Sequence, residues 1–268
     1  MKKKILLTLM AVFLVSSLGN ANTFSLKANY FVPNGPNSSA SPDSLWNIEY
    51  ENMDFRKSAF QGWSFNLSYE YFLTRELSLE FSIDALYSKN VSGDYRDYLG
   101  FEYDSEWWAV PAEYDEYMDL YTFYTGHRLR VSITPVQLSL KITPFGRRGK
   151  IMPYVGAGIG AYFWNVTMQG DMIDFNDEYV YESTTGYDLP VYPIYEVDAR
   201  ESENFAKVTL GYHVMGGIML ALGRNMTLDI GAKYNIAKGR MTEGFEGFDP
   251  FDLGGFQFSI GVNYWSLR

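Results

Sequence analysis

The chain has 268 residues, no cysteine and a formal net charge of -10. The missing cysteines exclude disulfides and thiolate metal sites, and 32 carboxylates against 22 lysines and arginines disfavour a nucleic-acid binder. Aromatic residues reach 18%, yet no segment after the first 21 residues is a continuous apolar run long enough for a helical span; a barrel crossing a bilayer on strands has this composition.

The N-terminus predicts a cleaved export signal. Lys2, Lys3 and Lys4 form a basic start, Ile5 to Leu18 an apolar stretch of 14 residues, and Gly19-Asn20-Ala21 a small-residue cleavage site. The leader therefore covers 1–21, and 22–268 is read as one domain. Losing three lysines takes the net charge from -10 to -13.

Period-2 alternation then dominates. Segment one, 24–32, sets Phe24, Leu26, Ala28, Tyr30 and Val32 against Ser25, Lys27 and Asn29. Segment two, 62–72, sets Trp63, Phe65, Leu67, Tyr69 and Tyr71 against Ser64, Asn66, Ser68 and Glu70. In segment three, 77–88, Leu77, Leu79, Phe81, Ile83, Ala85 and Tyr87 oppose Ser78, Glu80, Ser82 and Asp84. Segment four, 128–142, changes parity: Leu129, Val131 and Ile133 are odd, whereas Val136, Leu138, Leu140 and Ile142 are even. A β-bulge at Pro135 is the expected cause.

Segment five contains "PYVGAGIGAYFW", with glycines at 156, 158 and 160 on one face. The spacing G-x-G-x-G, with no helical pattern after it, is not a dinucleotide fingerprint. It fits a strand with a bare inner face, which makes room for long side chains from across a narrow barrel. Segments six (207–222), seven (226–236) and eight (256–264) alternate in the same way.

Strands 2–3, 4–5 and 6–7 have short connections; 33–61, 89–127, 168–204 and 238–254 are long and polar. An even strand count with every long loop at one end predicts an all-β fold. The expected architecture is an eight-stranded antiparallel transmembrane β-barrel with short periplasmic turns and long extracellular loops.

"TPVQLSLKITPFGRRGKIMPYVGAGIGAYFW" and "GYHVMGGIMLALGRNMTLDIGAKY" resemble two successive hairpins of the OmpA/OmpX/OmpW-like small outer-membrane barrels. The resemblance implies residence in the cell outer membrane and insertion by the barrel-insertion machinery. Members end on an aromatic residue read by that machinery; this sequence ends "NYWSLR", so Tyr264 and Trp265 are the expected substitutes.

The four long loops carry 27 of the 32 carboxylates, while the short turns hold Arg75, Arg147, Arg148, Lys150 and Arg224. Acidic loops keep an exposed surface soluble. They could also gather divalent cations beside lipopolysaccharide, with Asp174, Asn176 and Glu178 as weak candidate ligands. On the inner face the alternation places Lys27, Glu70, Glu80, Asp84, Arg128, Arg130, Lys141, Asp229 and Lys233, together with Lys207 and His213. So many charges must pair, which predicts a salt-bridged plug or, in the alternative, a narrow ion path.

Two histidines leave little for catalysis. His127-Arg128-Leu129 and His213-Val214-Met215 lack the His-x-Ser arrangement of lipid A deacylases. No enzyme activity and no cofactor are expected. The expected role is structural or surface-interacting, through acidic, aromatic-rich loops of a monomer embedded in outer-membrane lipid and lipopolysaccharide. The alternative is an OmpW-like narrow channel for small hydrophobic or ionic solutes.

Overall fold

The computed structural model describes residues 22–34, 57–85, 87–103, 105–113, 122–146, 149–181, 192–241 and 250–266. The expected leader, 1–21, lies outside the described residues. The strands are β1 (Asn22–Pro33), β2 (Gly62–Phe72), β3 (Leu77–Ala85), β4 (Tyr87–Tyr103), β5 (Glu106–Pro111) and β6 (Thr122–Ile142). They continue with β7 (Ile151–Tyr181), β8 (Tyr192–Ala221), β9 (Met226–Ile236), the two-residue β10 (Lys238–Gly239) and β11 (Phe251–Asp252), and β12 (Gly255–Ser266).

β4 carries on where β3 ends, so the two act as one strand along β6. Neighbours then pair in the order β1, β2, β3/β4, β6, β7, β8, β9, β12. β12 returns to β1 in unbroken antiparallel register, from Asn22↔Ser266 to Pro33↔Gly255. Closure gives every strand two partners, which is what hydrocarbon demands of backbone N–H and C=O groups. The short connections lie together at one end. Two are pinned by backbone hydrogen bonds, Leu73 N–H to the Leu77 carbonyl and Leu222 N–H to the Met226 carbonyl, both 3.0 Å.

At the other end the sheet goes further than alternation alone predicts. β7 and β8 stay paired from Ile151↔Leu220 to Tyr181↔Tyr192, through stretches expected to be irregular loop. β4 and β5 form a hairpin (Tyr98↔Pro111), and β5 reaches β8 through Trp108↔Glu196. With β4–β6 and β6–β7 pairing retained, β4, β6, β7, β8 and β5 close a smaller ring above the eight-stranded one.

The parity change in segment four has a different origin from the one expected. Register between β6 and β7 runs without interruption through Pro135↔Tyr162, so β6 carries no bulge there. Its odd residues face inward throughout: Lys141, Ser139 and Gln137 below Pro135, then Ile133, Val131 and Leu129 above it. The side-chain chemistry reverses, not the backbone. Below Pro135 the outside is apolar and the inside polar, as for a wall in lipid; above it the inside is apolar and Arg130 and Arg128 are exposed.

The extra residue sits on the neighbouring strand. Pairing passes from Ile83↔Val136 to Tyr87↔Ile133, four residues against three. The inward set therefore changes from even (Asp84) to odd (Tyr87) opposite Pro135, whose missing N–H a bulge tolerates.

Candidate functional site

The interior has two zones stacked along the barrel axis. In the lower zone, inward positions of five strands bring Lys27, Glu70, Glu80, Asp84, Lys141, Asp229 and Lys233 together. Lys27 bonds Asp229 at 2.7 Å; Lys141 lies between Glu70 at 3.1 Å and Glu80 at 3.4 Å; Lys233 meets Asp84 at 3.3 Å. Burying a charge is tolerated only where partners replace water, and neutral groups supply the remaining bonds. Ser78 donates to Glu70, Asn66 and Asn29 donate to Asp84 at 2.7 and 3.1 Å, and Tyr154 donates to Asp229 at 2.8 Å. Gln137 ties Lys233 to Asn235, accepting from the former at 2.6 Å and donating to the latter at 2.8 Å.

Arg128 and Arg130 do not belong to this network, contrary to the alternation-based expectation. Because β6 has no bulge, their even positions face outward above the apolar belt, where Arg130 Nε donates to Ser88 at 3.4 Å. Lys207 is also exposed, its ammonium reaching the Arg240 carbonyl at 3.4 Å.

Glycines let the long polar side chains cross from strand to strand. His213 on β8 reaches Ser139 on β6 at 2.8 Å, passing over β7 at Gly158, where a Cβ would lie 2.8 Å from its ring. Gln137 passes Gly160 in the same way, with 2.9 Å to its Cγ. Tyr154 reaches Asp229 over Gly217 and Gly231, and Lys27 does so over Gly261. The "PYVGAGIGAYFW" glycines are thus clearances for side chains. The side chains over them are His213, Gln137 and Met215, and Tyr162 shares the Gly160 clearance.

The upper zone is apolar. Tyr87, Val91, Tyr95, Leu129, Val131, Ile133, Val166 and Met168 are buried in one cluster with Trp164, which stacks on Phe251 at 6.2 Å. Phe31, Phe60 and Leu253 join it from β1 and the loops. Between the zones lies a cavity of about 20 Å³, bounded by Asp84 and Gln257 below and Tyr87 and Ile133 above. It has the room of one water molecule. Below the ion pairs, Met152, Tyr154, Met219 and Trp265 form a second apolar cluster with Phe72 against it.

At the crown, Tyr98 and Tyr195 meet edge to face at 5.8 Å. Burial raises the Tyr98 phenol above its ordinary range, and Tyr195, Asp97 and Glu178 add to the shift. Burial and then Glu178 do the same for Tyr195. Asp174 and Glu178, two of the three candidate metal ligands, flank a register irregularity of β7 and pair with Glu196 and Tyr195. The Asn176 side chain lies outside the described residues. Among the described residues, no group of three or more His, Cys, Asp or Glu is placed to hold a metal.

No protein-family model and no curated protein matches the chain. Solved structures do. Outer membrane protein OprG of Pseudomonas aeruginosa aligns with a TM-score of 0.50 at 10% identity, over 92% of this chain and 96% of that one. Neisserial surface protein A aligns at 0.44 and 13% identity (91% and 98% covered), and Escherichia coli outer membrane protein W at 0.36 and 12% (92% and 99%). With eight strands closed on themselves, an apolar exterior and a charged, filled interior, the chain has the fold of the small eight-stranded outer-membrane β-barrels.

Proposed function

We propose that this protein is a closed barrel of the outer membrane, acting through its external crown as a structural or surface-contacting element. The observation that carries the reading is the filled interior: ion-paired side chains below, an apolar core above, and a cavity of about 20 Å³ between them. A conduit needs a continuous wet path, and two seals in series oppose one. The crown presents exposed aromatic rings, among them Tyr103, Trp107 and Tyr179, on strands held well above the belt. Exposed aromatic surface of this kind suits contact with other molecules.

A non-catalytic role has its own support. Ser139 and His213 meet at 2.8 Å, and each is only 1% exposed, so no substrate reaches them. Ring closure leaves no open strand edge on the membrane-spanning barrel, which favours a monomer surrounded by lipid.

Single-channel recording of the refolded protein in planar bilayers tests the proposal. Silence across the voltage range is expected. Steady, reproducible openings would replace it with the alternative, an OmpW-like narrow channel for small hydrophobic or ionic solutes.

A further inference from the structure

The geometry points to a binding site for the phosphate-bearing head of an outer-leaflet lipid, on the outer wall of β4, β6 and β7 just above the apolar belt. The inference rests on the membrane placement proposed above. Three glycines fall at neighbouring register positions there: Gly93 pairs with His127, His127 with Gly170, and Asp94 with Gly126. Gly126, at an outward position, leaves the wall bare between Ser92, Arg128 and Gln169, and these residues line a recess of about 360 Å³ together with Gly93, His127 and Gly170. Gly170 has a φ of 114° at a register irregularity, and a Cβ on it would strike the Gly126 carbonyl. A side chain on Gly170 is therefore excluded by the backbone beside the recess.

Arg128 stands at the recess and Arg130 two residues below it on the same outward face, about 7 Å away along the strand. Arg128 makes no ion pair among the described residues, and Arg130 bonds Ser88 through Nε alone, leaving the rest of its fork to solvent. Two guanidiniums at this spacing can converge on one phosphate or bridge two, and guanidinium forks match phosphate oxygens in pairs.

Position selects the source of the phosphate. On this wall the apolar belt ends at Phe163, which pairs with Thr134. Arg130 is four residues further along β6, which at strand rise and barrel tilt is about 10 Å of height. That is the depth of lipid head groups, while the acidic crown lies beyond. Ser92 and Gln169 add hydroxyl and amide groups suited to a sugar-phosphate head.

The test uses the full barrel inserted in phosphatidylcholine nanodiscs, with insertion scored by co-flotation and binding by titration of fluorescent bisphosphorylated lipid A. Saturable binding is expected, about thirtyfold weaker in Arg128→Gln/Arg130→Gln, from about a fivefold loss for each surface cation removed. Arg75→Gln, in a turn at the opposite end, should bind like the parent. Equal affinity in the parent and the double variant would overturn the site. Displacement of the lipid by millimolar inorganic phosphate would overturn the lipid assignment. Failure to co-float would instead overturn the membrane placement, so the two failures are told apart.

Discussion

A methyl group on Gly158 would press on the Leu138 carbonyl, lie 2.7 Å from Ser139 Cα and touch the His213 ring, whereas one on Gly216 would meet nothing nearer than 3.5 Å. Both glycines lie in strand interiors, where glycine is unfavourable unless its bareness is used. Gly158→Ala must move backbone and should destabilise by about 1–3 kcal/mol, as other overpacked sites do. Gly216→Ala should be neutral or stabilise by up to about 1 kcal/mol through the unfolded chain. Urea unfolding of both variants in one lipid decides; equal stabilities would mean that the side-chain crossings do not depend on bare backbone. Charge obeys the same local logic. Asp229→Leu leaves Lys27 buried without its 2.7 Å partner and should cost about 3–5 kcal/mol. Adding Lys27→Met should recover most of that loss, because an apolar pair replaces an ion pair at little cost. A double variant no better than the single one would show that Lys27 finds its stabilisation elsewhere.

At the scale of the strand, β6 shows what alternation can and cannot say. From Val136 to Ile142 the apolar residues face lipid; from Ile133 to Leu129 they face the core. In a one-dimensional pattern, this reversal and a bulge look identical, since each shifts the apolar set by one position. The eight belt strands and their tight turns were legible because a bilayer imposes one sense of alternation on all of them. The upper ring was not: its apolar residues point inward and its outward face is polar, so 89–127 and 168–204 read as loops. The lumen charges of the belt followed from parity, while Arg128 and Arg130 were misplaced because they lie beyond the reversal. Nor could spacing reveal that Tyr154, Gln137 and Asn235 complete the network, because those bonds cross the barrel. Ser132 separates the two accounts. With a bulge at Pro135 it would point into a crowded interior; in the observed register it faces outward at head-group level. Ser132→Arg should therefore change stability by no more than about 0.5 kcal/mol, while Leu138→Arg, in the belt, should cost about 2–4 kcal/mol. A severe loss for Ser132→Arg in refolding into bilayers would restore the bulge.

On the scale of the whole molecule, two closed rings share β4, β6, β7 and β8, and each surrounds its own kind of core. The lower ring must hide polar side chains from lipid and does so by pairing them; the upper ring stands in water and folds around apolar side chains as a soluble domain does. The seals are built separately, since the apolar cluster of Tyr95, Leu129, Val131 and Trp164 contains no member of the ion pairs. Lys141, its ammonium 4.2 Å from the centre of the Tyr154 ring, links Glu70 and Glu80, so removing all three avoids leaving an orphaned charge. A Lys141→Ala/Glu70→Ala/Glu80→Ala variant should admit water to the lower zone and lose stability. It should nevertheless remain silent in planar bilayers, since ions entering from below still meet an apolar plug. Water entry can be followed separately, by faster exchange of the backbone amides around Ser78 and Ser139. Amide exchange that rises while conductance stays at zero is the expected pair of results. Steady openings in this variant would mean that the upper core does not seal the barrel, and the polar network alone would then be the gate.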